Sequence, residues 1–160
     1  MGEGIDIYGL ARRESNSASV KIARVLSDIK KQGFSTSRPF SIGVVEKRMK
    51  DYARENNIEL SGNDVYMSSK SIKHSIRKSK ADKGIAVSMK DLINFPSSRR
   101  KMDLFYDDEA FVYTNYKTKY IVHPNYEIKT EDGKNKKVVF ITAGKVTDPN
   151  EFKLPKYKKV

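Results

Sequence analysis

The hydrophobic period of this chain changes once, at residue 102, and that change limits the folds open to it. From Met102 onward the segments MDLFY, AFVYTN, KYIVH and KKVVFITAG alternate apolar with polar side chains or run as β-branched and aromatic stretches, which is the pattern of strands. The connections between them are shorter than the crossover of about a dozen residues that a parallel pair requires, so an antiparallel meander is expected. Asp132-Gly133, in EIKTEDGKN, is a strong hairpin signal. Before residue 102 the apolar spacing is helical. The expected class is therefore α+β, with N-terminal helices packed on one face of a four-stranded antiparallel sheet.

The helical part divides into several segments. SASVKIARVLSDIKKQG, from Ser17 or Ser19, sets Ile22, Val25, Leu26 and Ile29 at helical spacing, carries Lys30 and Lys31 in its last turn and stops at Gly33. The opening MGEGIDIYGLARRESNS lacks a sustained period and reads as irregular, with Ile5, Ile7 and Leu10 available to pack as an arm. FSTSRPFSIG reads as a connector. VVEKRMKDYARENN repeats Val45, Met49, Tyr52 and Ala53 on one face of a second helix. IELSGND is the best boundary, followed by a short strand-like VYM. In SMKDLINFP, Ser88 and Asp91 have capping-box spacing, and Pro96 is expected to end the element. The reading is a helical arm or hairpin over residues 1–60 and an α+β domain over 61–160, with LPKYKKV as a mobile basic tail.

Composition excludes several chemistries. The 160 residues contain no cysteine, so disulfides, thiolate nucleophiles and cysteine-based zinc sites are out, and two histidines without carboxylates at ligand spacing argue against any metal. No cofactor is expected. No apolar run is long enough for a membrane span, and no secretory signal precedes the first helix. The net charge is +12, distributed as +3 over residues 1–60 and +9 over 61–160. That excess favours a polyanionic partner, through neutralisation of phosphates and release of their counterions.

The run SSKSIKHSIRKSK, residues 68–80, holds one of the two histidines among lysines and an arginine, with no acid. On a helix, Ile72 and Ile76 fall within about 40° of each other and would anchor it. His74 lies roughly opposite, with Lys70, Arg77 and Lys78 within about 60° of it and Lys73 bordering that side. One reading makes His74 a base beside a phosphate held by those cations. The other is a solvated basic helix in which His74 is incidental.

His123, in KYIVHPNY, shares a strand face with Ile121 and reads first as structural, although a His–His acid/base pair forms if the strand end approaches the helix. Thr142, in VVFITAGK, has a hydroxyl that could position a phosphate oxygen, and threonine is also an ordinary strand former. Tyr113, Tyr116 and Tyr120 lie among Lys117 and Lys119, a mixture that suits base stacking beside phosphate contacts and is equally ordinary core.

The basic helix with one histidine, the short helix ending INFP and the meander closing in VVFITAGKV resemble the barnase/EndoU/colicin/RelE-like (BECR) nucleases, especially the polymorphic-toxin and phage MuF-associated domains. The resemblance spans roughly residues 64–150. It implies metal-independent cleavage of RNA, with tRNA a candidate substrate, by attack of a 2′-hydroxyl to leave a 2′,3′-cyclic phosphate. His74 would take the 2′-hydroxyl proton, Lys70 or Arg77 would stabilise charge on the phosphate, and Thr142 would sit near it. Lys73, Arg77, Lys78, Tyr113, Tyr120 and Lys145 would complete the RNA-binding surface. The general acid is open among His123, Tyr113 and Tyr120, because no glutamate is placed as the usual base and the helix has no second histidine. A toxin or phage-delivered effector of this kind acts in a bacterial cytoplasm and is met by an acidic immunity or antitoxin protein. Two other classes fit the charge: a non-catalytic phage accessory protein that binds nucleic acid, in contact with the phage head or its DNA, and an inhibitor of a bacterial defence system that binds protein.

Overall fold

The computed structural model describes residues 7–36, 38–77, 84, 86–129 and 133–160. Its elements in chain order are α1 (Ile7–Gln32), β1 (Phe40–Val44), α2 (Lys47–Glu55), β2 (Asp64–Met67), α3 (Ser69–Ile76), α4 (Met89–Ser98), β3 (Asp103–Tyr106), β4 (Phe111–Thr114), β5 (Thr118–Lys129), β6 (Asn135–Lys145) and β7 (Lys158–Lys159). Short 3₁₀ turns occupy Arg99–Lys101 and Pro149–Lys153. The class is α+β. Among the described residues no helix is long and apolar enough to cross a membrane.

The sheet is larger than the four strands expected. β3, β4, β5 and β6 pair antiparallel in sequence order as the alternation implied, but they sit inside a seven-stranded mixed sheet of order β1-β2-β6-β5-β4-β3-β7. β2 lies parallel to β6, with Val65 opposite Val139 and Tyr66 opposite Phe140. A parallel neighbour so distant in sequence leaves no local signal. β1 lies in the stretch FSTSRPFSIG, expected as a connector, because serine and glycine interrupt the apolar pattern of FSIGV. It pairs antiparallel with β2 through a register shift between Ser41 and Gly43, and Gly43 has a φ of +132°, which favours glycine. The expected mobile tail is ordered: β7 pairs with β3, the Val160 N–H donates to the Leu104 carbonyl at 2.9 Å, and Phe152 stacks on Phe105 at 5.3 Å.

Helix boundaries also differ from the reading. α1 begins ten residues before Ser17 and ends at Gly33, whose N–H donates to the Ile29 carbonyl at a φ of +84°. Ile5 lies outside the described residues. Pro96 does not end α4, which runs on to Ser98 before the chain tightens into the 3₁₀ turn at Arg99–Lys101. Ser88 makes no side-chain cap, and Asp91 instead accepts a hydrogen bond from the Thr118 hydroxyl at 3.1 Å.

One cluster of buried side chains joins the helices to one sheet face. Ile22 and Leu26 of α1, Met49 of α2, and Leu92 and Phe95 of α4 pack with Leu104, Phe111, Val139 and Ile141. Each such side chain contributes about 1.5–3 kcal/mol by leaving water. Residues from both sides of the expected boundary at residue 60 share this core. A smaller cluster on the opposite sheet face gathers Phe105, Val112, Val146 and Phe152 under the C-terminal segment.

A candidate phosphodiester site between α3 and β6

The site begins with how α3 is fixed. Ser68 and Ser71 cap it reciprocally: the Ser71 N–H donates to the Ser68 hydroxyl at 3.1 Å, and the Ser68 N–H donates to the Ser71 hydroxyl at 3.4 Å. Ile72 and Ser75 are buried, and the Ser75 carbonyl accepts the Val87 N–H at 3.0 Å. That stripe faces inward. Lys70 and His74, four residues apart, therefore share an exposed stripe.

β2 leaves the sheet at Met67 and turns directly into α3, after pairing with β6 only at Val65 and Tyr66. Past Phe140, β6 has no strand on that side among the described residues, and α3 runs beside it. Between them lies a cleft of about 270 Å³. Ser68, Lys70, Ser71 and His74 form one wall, with Phe140, Thr142, Ala143 and Tyr126 opposite. None of these residues is acidic, so the cleft is suited to an anion.

His123 reaches the same threonine from β5. Its Nε2 stands 3.4 Å from the Thr142 hydroxyl oxygen, across the β5–β6 ladder. Burial pushes the His123 pKa below its usual value, and the more distant Asp107 carboxylate opposes that shift only in part. Burial therefore favours the neutral form of this imidazole.

A bulge places the next aromatic ring. His123 opposes Phe140 and Tyr126 opposes Val138, so three residues of β5 span two of β6 at Pro124-Asn125. This returns Tyr126 to the sheet face of His123, where its ring stacks on Phe140 at 4.6 Å and stays 44% exposed. The Ser61 N–H donates to the Pro124 carbonyl at 3.0 Å, and the Ser61 hydroxyl bonds Asn125. Tyr126 escaped the sequence reading. The proline inside its strand was the available signal, because a strand proline marks an edge or a bulge.

The structure thus brings Lys70, His74 and Thr142 to one cleft, sets His123 against the Thr142 hydroxyl, and leaves other expected residues elsewhere. Arg77 does not continue the cationic stripe: α3 ends at Ile76 and Arg77 is extended, with φ −59° and ψ 152°. Lys78 lies outside the described residues. Lys73 is exposed on α3 without lining the cleft, and Lys145 is exposed at the end of β6. Tyr113 and Tyr120 are not stacking platforms, because both are buried on the helix-covered face against Phe95. Tyr113 donates to Glu46, and burial with that carboxylate holds its hydroxyl protonated far above the usual range, which also removes it as a general acid. Among the described residues no three His, Asp or Glu side chains come together as metal ligands.

No family model matches the chain, and comparison with the curated proteins and with the solved structures yields no match.

Proposed function

We propose that this chain is a metal-independent endoribonuclease that cleaves RNA by attack of a 2′-hydroxyl on the adjacent phosphorus. The observation that carries the reading is a cleft lined by His74, Lys70 and Thr142 and by no acidic side chain, with a second imidazole, His123 of β5, on the Thr142 hydroxyl. The reaction needs a base, an acid and an anion site in one place.

The burial of His123 exchanges the roles that the resemblance implied. A neutral imidazole whose Nε2 points at a cleft-lining hydroxyl is suited to accept the 2′-hydroxyl proton. His74, on the exposed stripe with Lys70, is suited to deliver a proton to the 5′-oxygen as the P–O5′ bond breaks. Lys70 and Thr142 would hold the non-bridging oxygens, on which charge grows as the 2′-oxygen bonds to phosphorus.

The test is incubation of the purified chain with total tRNA in EDTA, followed by mapping of RNA ends. Cyclic phosphate ends in the wild-type digest, lost in His74→Ala and in His123→Ala, are expected. Cleavage at the wild-type rate by both variants would remove the assignment. Inducible expression in bacteria extends the test to the toxin role, for which growth arrest dependent on His74 is the expected result.

A further inference from the structure

Tyr126 lines the α3–β6 cleft, yet the proposed catalytic step gives its ring no part. Its place on the sheet shows what the ring can meet. Along β6, Val139 and Ile141 belong to the helix-covered core, so Lys136, Val138, Phe140 and Thr142 alternate onto the opposite face. Residues directly across a ladder share a face, and the β5–β6 register therefore adds His123, opposite Phe140, and Tyr126, opposite Val138. Glu127 and its partner Lys137 fall on the other side, so the carboxylate nearest in sequence is turned away.

Tyr126 is both fixed and accessible. Val138 and Phe140 are buried at 1% and 4% exposure, whereas Tyr126 keeps 44%. The Tyr126 and Phe140 rings are nearly parallel, 17° apart in plane with centroids 4.6 Å apart, and the His123 ring lies 5.6 Å from Tyr126. A ring supported from below in this way is already oriented when a ligand arrives, so little side-chain freedom is lost on binding. Flat nucleobases stack on such rings whatever their hydrogen-bonding edges, because every base has a π-face.

The neighbouring groups decide which base reaches it. In the proposed reaction His123 accepts the 2′-hydroxyl proton and His74 donates to the departing 5′-oxygen. The nucleotide that carries the attacking hydroxyl then lies on the β5 side of the phosphate, and the leaving nucleotide lies on the α3 side. Tyr126 is three residues beyond His123 on β5 and on the same face. It stands beside the first of these nucleotides.

From this arrangement we infer that Tyr126 forms the subsite for the base on the 5′ side of the scissile phosphate, so that the cleft takes a nucleoside 3′-phosphate. The phosphate lies among Lys70, His74 and Thr142, and its own base stacks on Tyr126. A nucleoside 5′-phosphate with its phosphate in the same place carries its base toward α3 and misses the ring. The polarity rests on the ribonuclease reading, but binding is measurable without cleavage.

The experiment titrates cytidine and adenosine 3′-monophosphates, their 5′-monophosphate isomers and inorganic phosphate into the full chain. Amide resonances of Lys70, His74, Tyr126 and Thr142 report the site. Both 3′-monophosphates are expected to shift Tyr126, to show nuclear Overhauser contacts between its ring and the base, and to bind roughly tenfold more tightly than their 5′ isomers, the effect of one base stacked on an aromatic ring. Inorganic phosphate should shift Lys70, His74 and Thr142 and bind more weakly than either 3′-monophosphate. Tyr126→Ala should abolish the preference for the 3′ isomers, and Tyr126→Phe should retain it. Equal affinity for the two isomers, a preference for the 5′ isomers, or a 3′ preference that survives in folded Tyr126→Ala overturns the subsite. Should that variant not fold, the absence of contacts between the Tyr126 ring and the base in the wild type overturns it equally. A 3′ preference without RNA cleavage would keep the subsite and defeat the catalytic reading, whereas cleavage without an isomer preference would do the reverse.

Discussion

The Thr142 hydroxyl oxygen and the His123 Nε2 stand 3.4 Å apart, on neighbouring strands, at the border between the cleft and the half-buried face of the sheet. In the proposed reaction, the pair would let a group whose neutral form is favoured by burial act on an anion held by exposed cations. His123→Ala is expected to lower kcat by about 10²–10⁴, the usual worth of a positioned acid or base. Thr142→Val should lower it by roughly tenfold, the value of one lost hydrogen bond to charge. Cleavage rates on a defined RNA check both.

The shifted His123 also sets a pH dependence. Its folded pKa lies below the usual 6.5, so the base form persists to lower pH than in a free imidazole, and kcat/KM should fall only as pH drops through that lowered value. The limb should disappear from the residual activity of His123→Ala. Stability carries the same sign: the unfolded chain binds the proton more readily, so stability present above about pH 6.5 is lost as pH falls toward the folded value. Thermal melts of wild type and His123→Ala across this range measure the difference.

Lys70 and His74 share an exposed stripe of α3, and the proposed reaction gives them different roles. Lys70→Ala should weaken RNA binding and reduce the slope of log affinity against log salt by about one contact. His74→Ala should leave that slope alone while lowering kcat by about 10²–10⁴. Binding isotherms at several salt concentrations, with single-turnover rates, separate the two.

Tyr126 offers an exposed ring beside the cleft, supported from below by Phe140. Tyr126→Ala should cost about 1–3 kcal/mol of RNA binding through loss of base stacking, and Tyr126→Phe should cost little. Equal losses in the two variants would assign the effect to the hydroxyl instead.

Gly43 is the tightest backbone position in β1. A Cβ there would stand 2.8 Å from Nη2 of Arg99, whose side chain is buried, and its φ of +132° is unsuited to other residues. Gly43→Ala is expected to destabilise the fold by about 1–3 kcal/mol, read as a lower denaturant midpoint.

The sequence by itself determined the layout. The switch from helical to alternating period at residue 102 gave the α+β class and the order of β3 to β6, and the spacing of Ile72 from His74 showed which side of α3 meets solvent. These are local properties, written in neighbouring side chains. What only the tertiary structure decided is longer in range. The parallel pairing of β2 with β6 joins residues 65 and 139, and it makes the sheet seven-stranded and leaves the β6 edge open for the cleft. The bulge at Pro124-Asn125 brings Tyr126 onto the face of His123, and the register of β5 against β6 brings His123 to Thr142. The tyrosines show the limit most plainly. Alternation alone could not distinguish Tyr113 and Tyr120, buried under α4, from Tyr126, exposed at the cleft, because which face of a strand is covered depends on where the helices pack and not on the strand's own residues.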